Sequence, residues 1–472
     1  MKLPPLIVKS LIVLVLGLLV VSAFLIRLEN FKYSRARSID EIVYTRMAFQ
    51  VLNNPSDYHT IPFGQELSAR GRKLPEYFFK PLYKHPPVFT YLISLSMKLF
   101  DPNLLSVGYV SLALGVLMIP LIYLLGTMID DRTTGLLAAF FLWLDPVNII
   151  CSQKVWPDTS IAFFALVAAV CFVGGLKGKK DFLFILSGVA SGLAANMKYP
   201  GILITFAIFL FAVLNRRDLF QNKKFVVSLF IPFLMLIPWG LWNWKVYGIM
   251  GLLENREFIA FFDRIFKRIV FILPVLIIVV WSGRFLLKRK RENINAVISS
   301  PPIQNTRKVT IAFIIAVLIL LFYKPLLQSL HFTHIPFGTW QQGIVQKSLP
   351  IFYFSKLIEF SFLYVFSFGA IFLYHADDKQ ENSFLRIAAV IILVFFTLWR
   401  GYQSRYVIAS LPLLIVLGVQ LWKEFFEKLS EHPNATVALI GSITLRFLVY
   451  YVMAKTYYLN LMFSFTNDMC YF

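Results

Sequence analysis

Read from its start, the sequence returns repeatedly to apolar runs of about 15 to 25 residues, separated by short charged loops. A helix of that length matches the hydrocarbon thickness of a bilayer. One such run could be a signal or an anchor, but many make the bilayer the solvent for most of the chain. Composition agrees, with 58% hydrophobic and only 15% charged residues over the 472 positions, where soluble domains carry about 25% charge. Mean hydropathy is +0.70. A soluble globular fold is excluded. The net charge of +21 would suggest a nucleic-acid partner in a soluble protein; between membrane spans, basic residues are instead topology determinants that stay cytoplasmic. No nucleic-acid partner is inferred. Cys151, Cys171 and Cys470 are odd in number and form neither a disulfide framework nor a metal motif.

Three loops carry dense positive charge, Lys177-Gly178-Lys179-Lys180, Arg216-Arg217 with Lys223-Lys224, and Lys288-Arg289-Lys290-Arg291 with Arg307-Lys308. The positive-inside rule makes them cytoplasmic. Between them apolar segments fall in pairs, 182-197 with 199-214 and 225-244 with 269-287, as parity requires. Further spans are expected at 309-330, 357-374, 386-399, 405-421 and 435-454, and upstream at 104-128, 134-151 and 158-176. The opening run, Ser10 to Ile26, competes with a signal peptide cleaved after Val21-Ser22-Ala23, and its length favours an uncleaved first span. Residues 88-100 are apolar but too short to cross, and are read as a juxtamembrane or re-entrant helix on the outer face. The expected architecture is an all-α polytopic membrane protein of about 13 transmembrane helices, N-terminus cytoplasmic and C-terminus outside, in the plasma (inner) membrane. A single transmembrane domain is expected over 1-455, with a first extracytoplasmic loop at 27-103 that carries juxtamembrane helices. A short tail at 456-472 leaves no separate C-terminal soluble domain.

That first loop contradicts the charge rule, with basic residues from Arg27 to Lys84 on the outer side. Loops longer than about 60 residues translocate regardless of charge. The excess then has two readings, a solvated face on anionic headgroups or a site for a lipid phosphate. Around it lie five elements, all on the outer side. Ser38-Ile39-Asp40-Glu41-Ile42-Val43-Tyr44 has a cap and two carboxylates where a helix begins, with Tyr44 one turn on. Lys80-Pro81-Leu82-Tyr83-Lys84-His85-Pro86-Pro87 is basic and stiffened by proline. Ser152-Gln153-Lys154-Val155-Trp156-Pro157-Asp158 leads into a span with Pro157 and Asp158 in its first turn, Asn196-Met197-Lys198-Tyr199-Pro200 breaks a hairpin, and Trp399-Arg400-Gly401-Tyr402-Gln403-Ser404-Arg405-Tyr406 precedes Pro412. Taken singly, each has an ordinary structural explanation, as a helix cap, a first-turn acid or a snorkelling lysine. Together they put acids, a histidine and cations on one face of one bundle.

In that order and spacing these residues resemble the GT-C superfamily of polyprenyl-phosphate-sugar-dependent glycosyltransferases, particularly the branch of protein O-mannosyltransferases and lipid A aminoarabinose transferases. The likeness runs through residues 30 to 210, thins from 215 to 395, and returns over 399 to 418. It implies an inverting transferase with its site at the extracytoplasmic face, a polyprenyl-phosphate-sugar as donor, and an envelope lipid, glycan or protein hydroxyl as acceptor. Asp40 would be the general base or acceptor-orienting carboxylate, with Glu41 its partner. Lys84, His85, Lys198, Arg400 and Arg405, with Arg46 as a further choice, would hold the leaving phosphate. Tyr44 and Asp158 would orient substrate. No metal is assigned: some GT-C enzymes use a divalent cation and this branch generally does not, and His331-x-x-His334 lacks nearby carboxylates. The rival class is a lipid-linked-sugar flippase or transporter, for which Asp145-Pro146 inside a span is the best sequence evidence.

Overall fold

A computed structural model of the chain describes residues 4–33, 38–178, 180–254, 352–372, 379–399 and 403–430, together with Ile443. Among these, every regular element is helical: α1 Pro5–Tyr33, α2 Ile39–Asn53, α3 Ile61–Ala69, α4 Val88–Leu99, α5 Leu104–Ile129, α6 Arg132–Leu144, α7 Pro146–Ser152, α8 Pro157–Gly178, α9 Phe182–Met197, α10 Leu203–Asn215, α11 Lys223–Glu254, α12 Phe352–Phe360, α13 Leu363–Phe372, α14 Gln380–Trp399 and α15 Leu411–Ser430. Short 3-10 turns at Glu76–Phe79, Tyr199–Ile202, Arg217–Gln221 and Ser404–Ser410 link them. Six helical segments are long and apolar enough to cross a membrane, and α6 with α7 passes the same test as a bent pair. The chain is thus a multi-pass membrane protein. Among the thirteen expected spans, those at 269-287, 309-330 and 435-454 lie outside the described residues or, in the last, are represented by Ile443 alone.

The bundle core is built where α5 packs on α6 and α8, α8 on α9, α9 on α11, and α13 on α15. Residues 38–103 fold into three helices and a 3-10 turn. Ser38 and Glu41 form a reciprocal capping box at the start of α2, as the Ser-x-x-Glu spacing dictates. The short apolar run is α4, which packs on α2 and on α5 and so attaches the loop to the bundle. Three expected spans differ in detail. The run at 134-151 bends by 59° between α6 and α7, where Pro146 lacks an N–H and Asp145 accepts the Asn148 N–H at 2.8 Å. The run at 357-374 breaks between α12 and α13, and the Ser361 hydroxyl takes the Leu363 N–H at 3.3 Å. The run from 405 begins as a 3-10 turn before continuing as α15.

Candidate active site

Four separate stretches converge on the first turn of α2. Asp40 Oδ2 accepts a hydrogen bond from Arg405 Nη2 at 2.7 Å, closing an ion pair between residues 365 positions apart. Arg405 is itself fixed: its Nε donates to Gln403 Oε1 at 2.6 Å, and its guanidinium lies 4.4 Å from the Trp156 ring centroid and 5.3 Å from that of Tyr406. Trp156 Nε1 donates to Ser38 Oγ at 2.9 Å. The residue that caps α2 is therefore tied to the wall on which Arg405 rests.

Lys198 stands just past the C-terminus of α9, with extended backbone, because Tyr199-Pro200 turn the chain into a 3-10 helix. Its ammonium is 3.6 Å from Asp158 Oδ1 and 5.1 Å from the Tyr406 ring centroid. Asp158, in the first turn of α8, is buried, and its Oδ2 has no hydrogen-bond partner among the described residues. Asp158, Lys198 and Tyr406 line a small pocket that continues along Ile161, Ile204, Ile392 and Phe396.

Burial raises the proton affinity of the Asp40 carboxyl, but Arg405, Lys198 and Lys84 outweigh it and hold the group below the ordinary carboxylate value. Asp40 is thus an ionised, partly exposed acid with 44% of its side chain open. His85 is shifted in the same direction, which for an imidazole favours the neutral form. Burial and then the charges of Lys84, Lys198 and Arg405 push its pKa well below the usual value, so the imidazole is neutral. Its ring packs edge-on against Tyr83 and Tyr199, and its Nδ1 has no partner among the described residues. Tyr44 is buried between Tyr83 and Phe89 and feels the charges of both Asp40 and Asp158.

The structure therefore gathers Asp40, Tyr44, Lys84, His85, Asp158, Lys198 and Arg405 into one cluster. Two expectations change. Glu41 faces away from the open side: it is fully buried, completes the capping box, accepts the Val155 N–H at 3.3 Å and pairs with Lys154 at 3.6 Å. Its carboxylate positions a loop rather than meeting a substrate. Arg46 pairs with Glu66 and lies over the Phe63 ring, and so is committed elsewhere. Arg400 lies outside the described residues. Part of the positive charge between Arg27 and Lys84 is likewise paired locally, with Lys32 on Glu29, Arg70 on Glu66 and Lys80 on Glu76, while Arg27 is buried in the bundle. The cations nearest the chemistry come from distant helices. Lys154, Trp156 and Tyr406 are the residues that sequence reasoning did not assign to the site; the signal was their adjacency to Asp158 and Arg405.

Residues 84–242 match the family model of dolichyl-phosphate-mannose-protein mannosyltransferases. A protein of Aquifex aeolicus (strain VF5), described as uncharacterized, is 29% identical over 180 residues, 36% of each chain. Among solved structures, the archaeal oligosaccharyltransferase AglB from Archaeoglobus fulgidus, in complex with an inhibitory peptide and a dolichol-phosphate, is similar with a TM-score of 0.55 at 16% identity, over 95% of this chain and 56% of that one. ArnT from Cupriavidus metallidurans bound to undecaprenyl phosphate is similar with a TM-score of 0.51 at 12% identity, over 96% of this chain and 76% of that one. The chain thus spans about a third of the Aquifex protein and just over half of the archaeal transferase. Over residues 84–242 the chain is thus similar to that mannosyltransferase family, and along most of its length it shares the fold of the two solved transferases.

Proposed function

We propose that the protein is an integral membrane glycosyltransferase that moves a sugar from a polyprenyl-phosphate donor to a hydroxyl on an envelope lipid, glycan or protein, at the extracytoplasmic face and with inversion. One observation carries this reading: an ionised carboxylate, Asp40, is paired with Arg405 and feels the charge of Lys198, which with Asp158 lines a largely apolar pocket beside them. In this reading the prenyl chain would lie along the apolar side chains and its phosphate against the cations. The neighbours support it, since one is bound to undecaprenyl phosphate and another to a dolichol-phosphate.

In this reading the acceptor oxygen attacks the anomeric carbon from the side opposite the phosphate, the carbon–oxygen bond to the phosphate breaks with its electron pair leaving on that oxygen, and the acceptor proton passes to Asp40. The phosphate gains charge as the bond breaks, which Lys198, Arg405 and Lys84 stabilise. Arg405 links the two events. While it pairs with Asp40 that carboxylate is a weak base; as the leaving phosphate draws the guanidinium, Asp40 gains proton affinity when the acceptor loses its proton. His85, being neutral, acts as a hydrogen-bond donor rather than a counter-charge. Among the described residues no cluster of three or more His, Cys, Asp or Glu side chains is placed to hold a metal ion, and no step is routed through one.

The rival flippase reading loses its best residue, because Asp145 caps α7 and accepts the Tyr364 hydroxyl at 2.6 Å. The test is to supply purified protein with undecaprenyl-phosphate-linked sugars and membrane extract, and to follow sugar release and transfer. Asp40→Asn is expected to lower turnover by about 10²-fold or more with donor binding retained. Activity indifferent to Asp40→Asn, or lipid movement without turnover, would overturn the proposal.

A further inference from the structure

Lys154, Val155 and Trp156 form the wall against which α2 and Arg405 are held, and that wall hangs from α7, which is only seven residues long. Both ends of α7 are anchored by polar side chains buried in a largely apolar bundle. At its C-terminal end Arg27 reaches in from α1. Leu14, Leu18, Val21 and Leu25 of that helix are exposed, whereas Ala23, Arg27 and Phe31, spaced four apart, form a fully buried strip. Arg27 Nη1 donates to the Ala23 carbonyl at 3.2 Å and Nε to Ser152 Oγ at 3.3 Å. Ser152 Oγ turns back to Asn148, within 3.0 Å of Oδ1 and also against the backbone carbonyl. At the N-terminal end Asp145 takes the Asn148 N–H and, on its other oxygen, the hydroxyl of Tyr364 from α13. Arg27 and Asp145 attract one another across this chain. Helix α5 closes it from the side: a Cβ on Gly115 would come within 2.3 Å of Ser152 Oγ, and Ser111 Oγ donates to the Trp156 carbonyl at 3.4 Å.

Ionisable groups buried within a membrane bundle are costly and are found where they do a specific task. The site described above does not use Arg27, Asp145 or Tyr364. We propose that the Arg27–Ser152–Asn148–Asp145–Tyr364 chain is the positioning device of the site. It fixes α7 so that Lys154 and the Val155 N–H meet Glu41, and so that Trp156 lies against Arg405 while bonding Ser38. These five are positioning residues: they set the Arg405–Asp40 geometry without touching substrate. The chain has few bonds to spare, since Arg27 Nη2 and Asn148 Nδ2 have no partner among the described residues.

The test uses the full-length purified protein and Tyr364→Phe, which removes one hydroxyl. Lysines are labelled with an amine-reactive acetylating reagent and quantified by mass spectrometry, without substrate. Lys154, buried against Glu41, is expected to label about fivefold faster in the variant, the factor that loss of about one hydrogen bond implies. Lys98, exposed on α4, and Lys423, held by Asp130 and Asp131 at the far end of α5, are expected to label at the wild-type rate. Unchanged Lys154 protection, or a parallel rise at Lys423 that marks general loosening, would overturn the proposal. A kinetic readout accompanies it, in which turnover falls about five- to tenfold while the donor KM stays within about twofold; a rise in KM alone counts against positioning of the Asp40 pair. That expectation rests on the transfer reading above, whereas lysine protection does not, so failure of one is told apart from failure of the other. If Tyr364→Phe is not recovered from membranes, Arg27→Gln with Asp145→Asn removes the opposite charges together and is read by the same two measurements.

Discussion

Asp40 and His85 lie in one cluster and are shifted by the same cations, with opposite consequences for charge. Cations lower the pKa of both groups, which keeps a carboxylate ionised and an imidazole neutral. The sign for Asp40 follows: its folded pKa is depressed, so the stability it contributes with Arg405 is present above the ordinary carboxylate value and is lost only as pH falls through the lower folded value. Transfer, followed as kcat/KM, is therefore expected to stay flat from about pH 7 to pH 5, with no acid limb from Asp40 or His85 in that window. An inflection near pH 6 that disappears in Asp40→Asn or in His85→Gln would contradict this assignment. His85→Gln, which keeps a neutral donor, is expected to retain activity within about tenfold of wild type, since one neutral hydrogen bond is worth about 0.5–1.5 kcal/mol. Because Asp40 is partly exposed, solvent screens its pair with Arg405, and Arg405→Ala is expected to reduce turnover far more than it reduces thermal stability.

The elements around the site are held by short bonds between parts of the chain far apart in sequence. The α2 cap shows this best. Ser38 caps its own helix and also receives Trp156 Nε1, so helix initiation and the Arg405 wall share one hydroxyl. Trp156→Phe keeps an aromatic face for Arg405 and loses that bond, an expected cost of about 0.5–1.5 kcal/mol. Trp156→Ala also empties a buried site, for about 3–5 kcal/mol. Thermal unfolding of the two purified variants measures the difference, and equal melting temperatures would show that the ring does not pack as described. Where α9 ends, the turn that extends Lys198 toward Asp158 needs Gly201, whose Cβ would come within 2.1 Å of the Ala194 carbonyl group. Gly201→Ala is expected to displace the turn and cost about 1–3 kcal/mol, with loss of transfer.

At the scale of the molecule, charge is sorted between the two ends of the bundle. One end holds Asp40, Lys198 and Arg405; the other holds Asp130 and Asp131 against Lys423, with Lys379 on Asp130. The basic loop with Lys223 and Lys224 begins α11, and the positive-inside rule predicts that it is cytoplasmic. With Cys151, Cys171 and Cys470 replaced by alanine, a cysteine at Ser56 is expected to react with a membrane-impermeant maleimide in intact cells. One at Lys224 is expected to react only after lysis. The reverse pattern would move the site to the cytoplasmic face.

The sequence by itself determined the solvent, the helical class and much of the cluster's membership. Bilayer thickness sets run length directly, and a capping box or a proline break is written within a few residues, as at Ser38–Glu41 and at Asp145-Pro146. Asp40, Lys198 and Arg405 were legible as separate elements. The partners of each side chain were not, because an ion pair across 365 positions depends on how helices pack and not on local pattern. Adjacent acids look alike in sequence, yet the helical turn at α2 aims Asp40 at Arg405 and Glu41 into the protein, where Val155 and Lys154 use its oxygens. Only the tertiary structure decided that. It also decided which charges meet: Lys32, Arg46, Arg70 and Lys80 pair with glutamates of their own region, whereas Lys198 and Arg405, far along the chain, pair with Asp158 and Asp40.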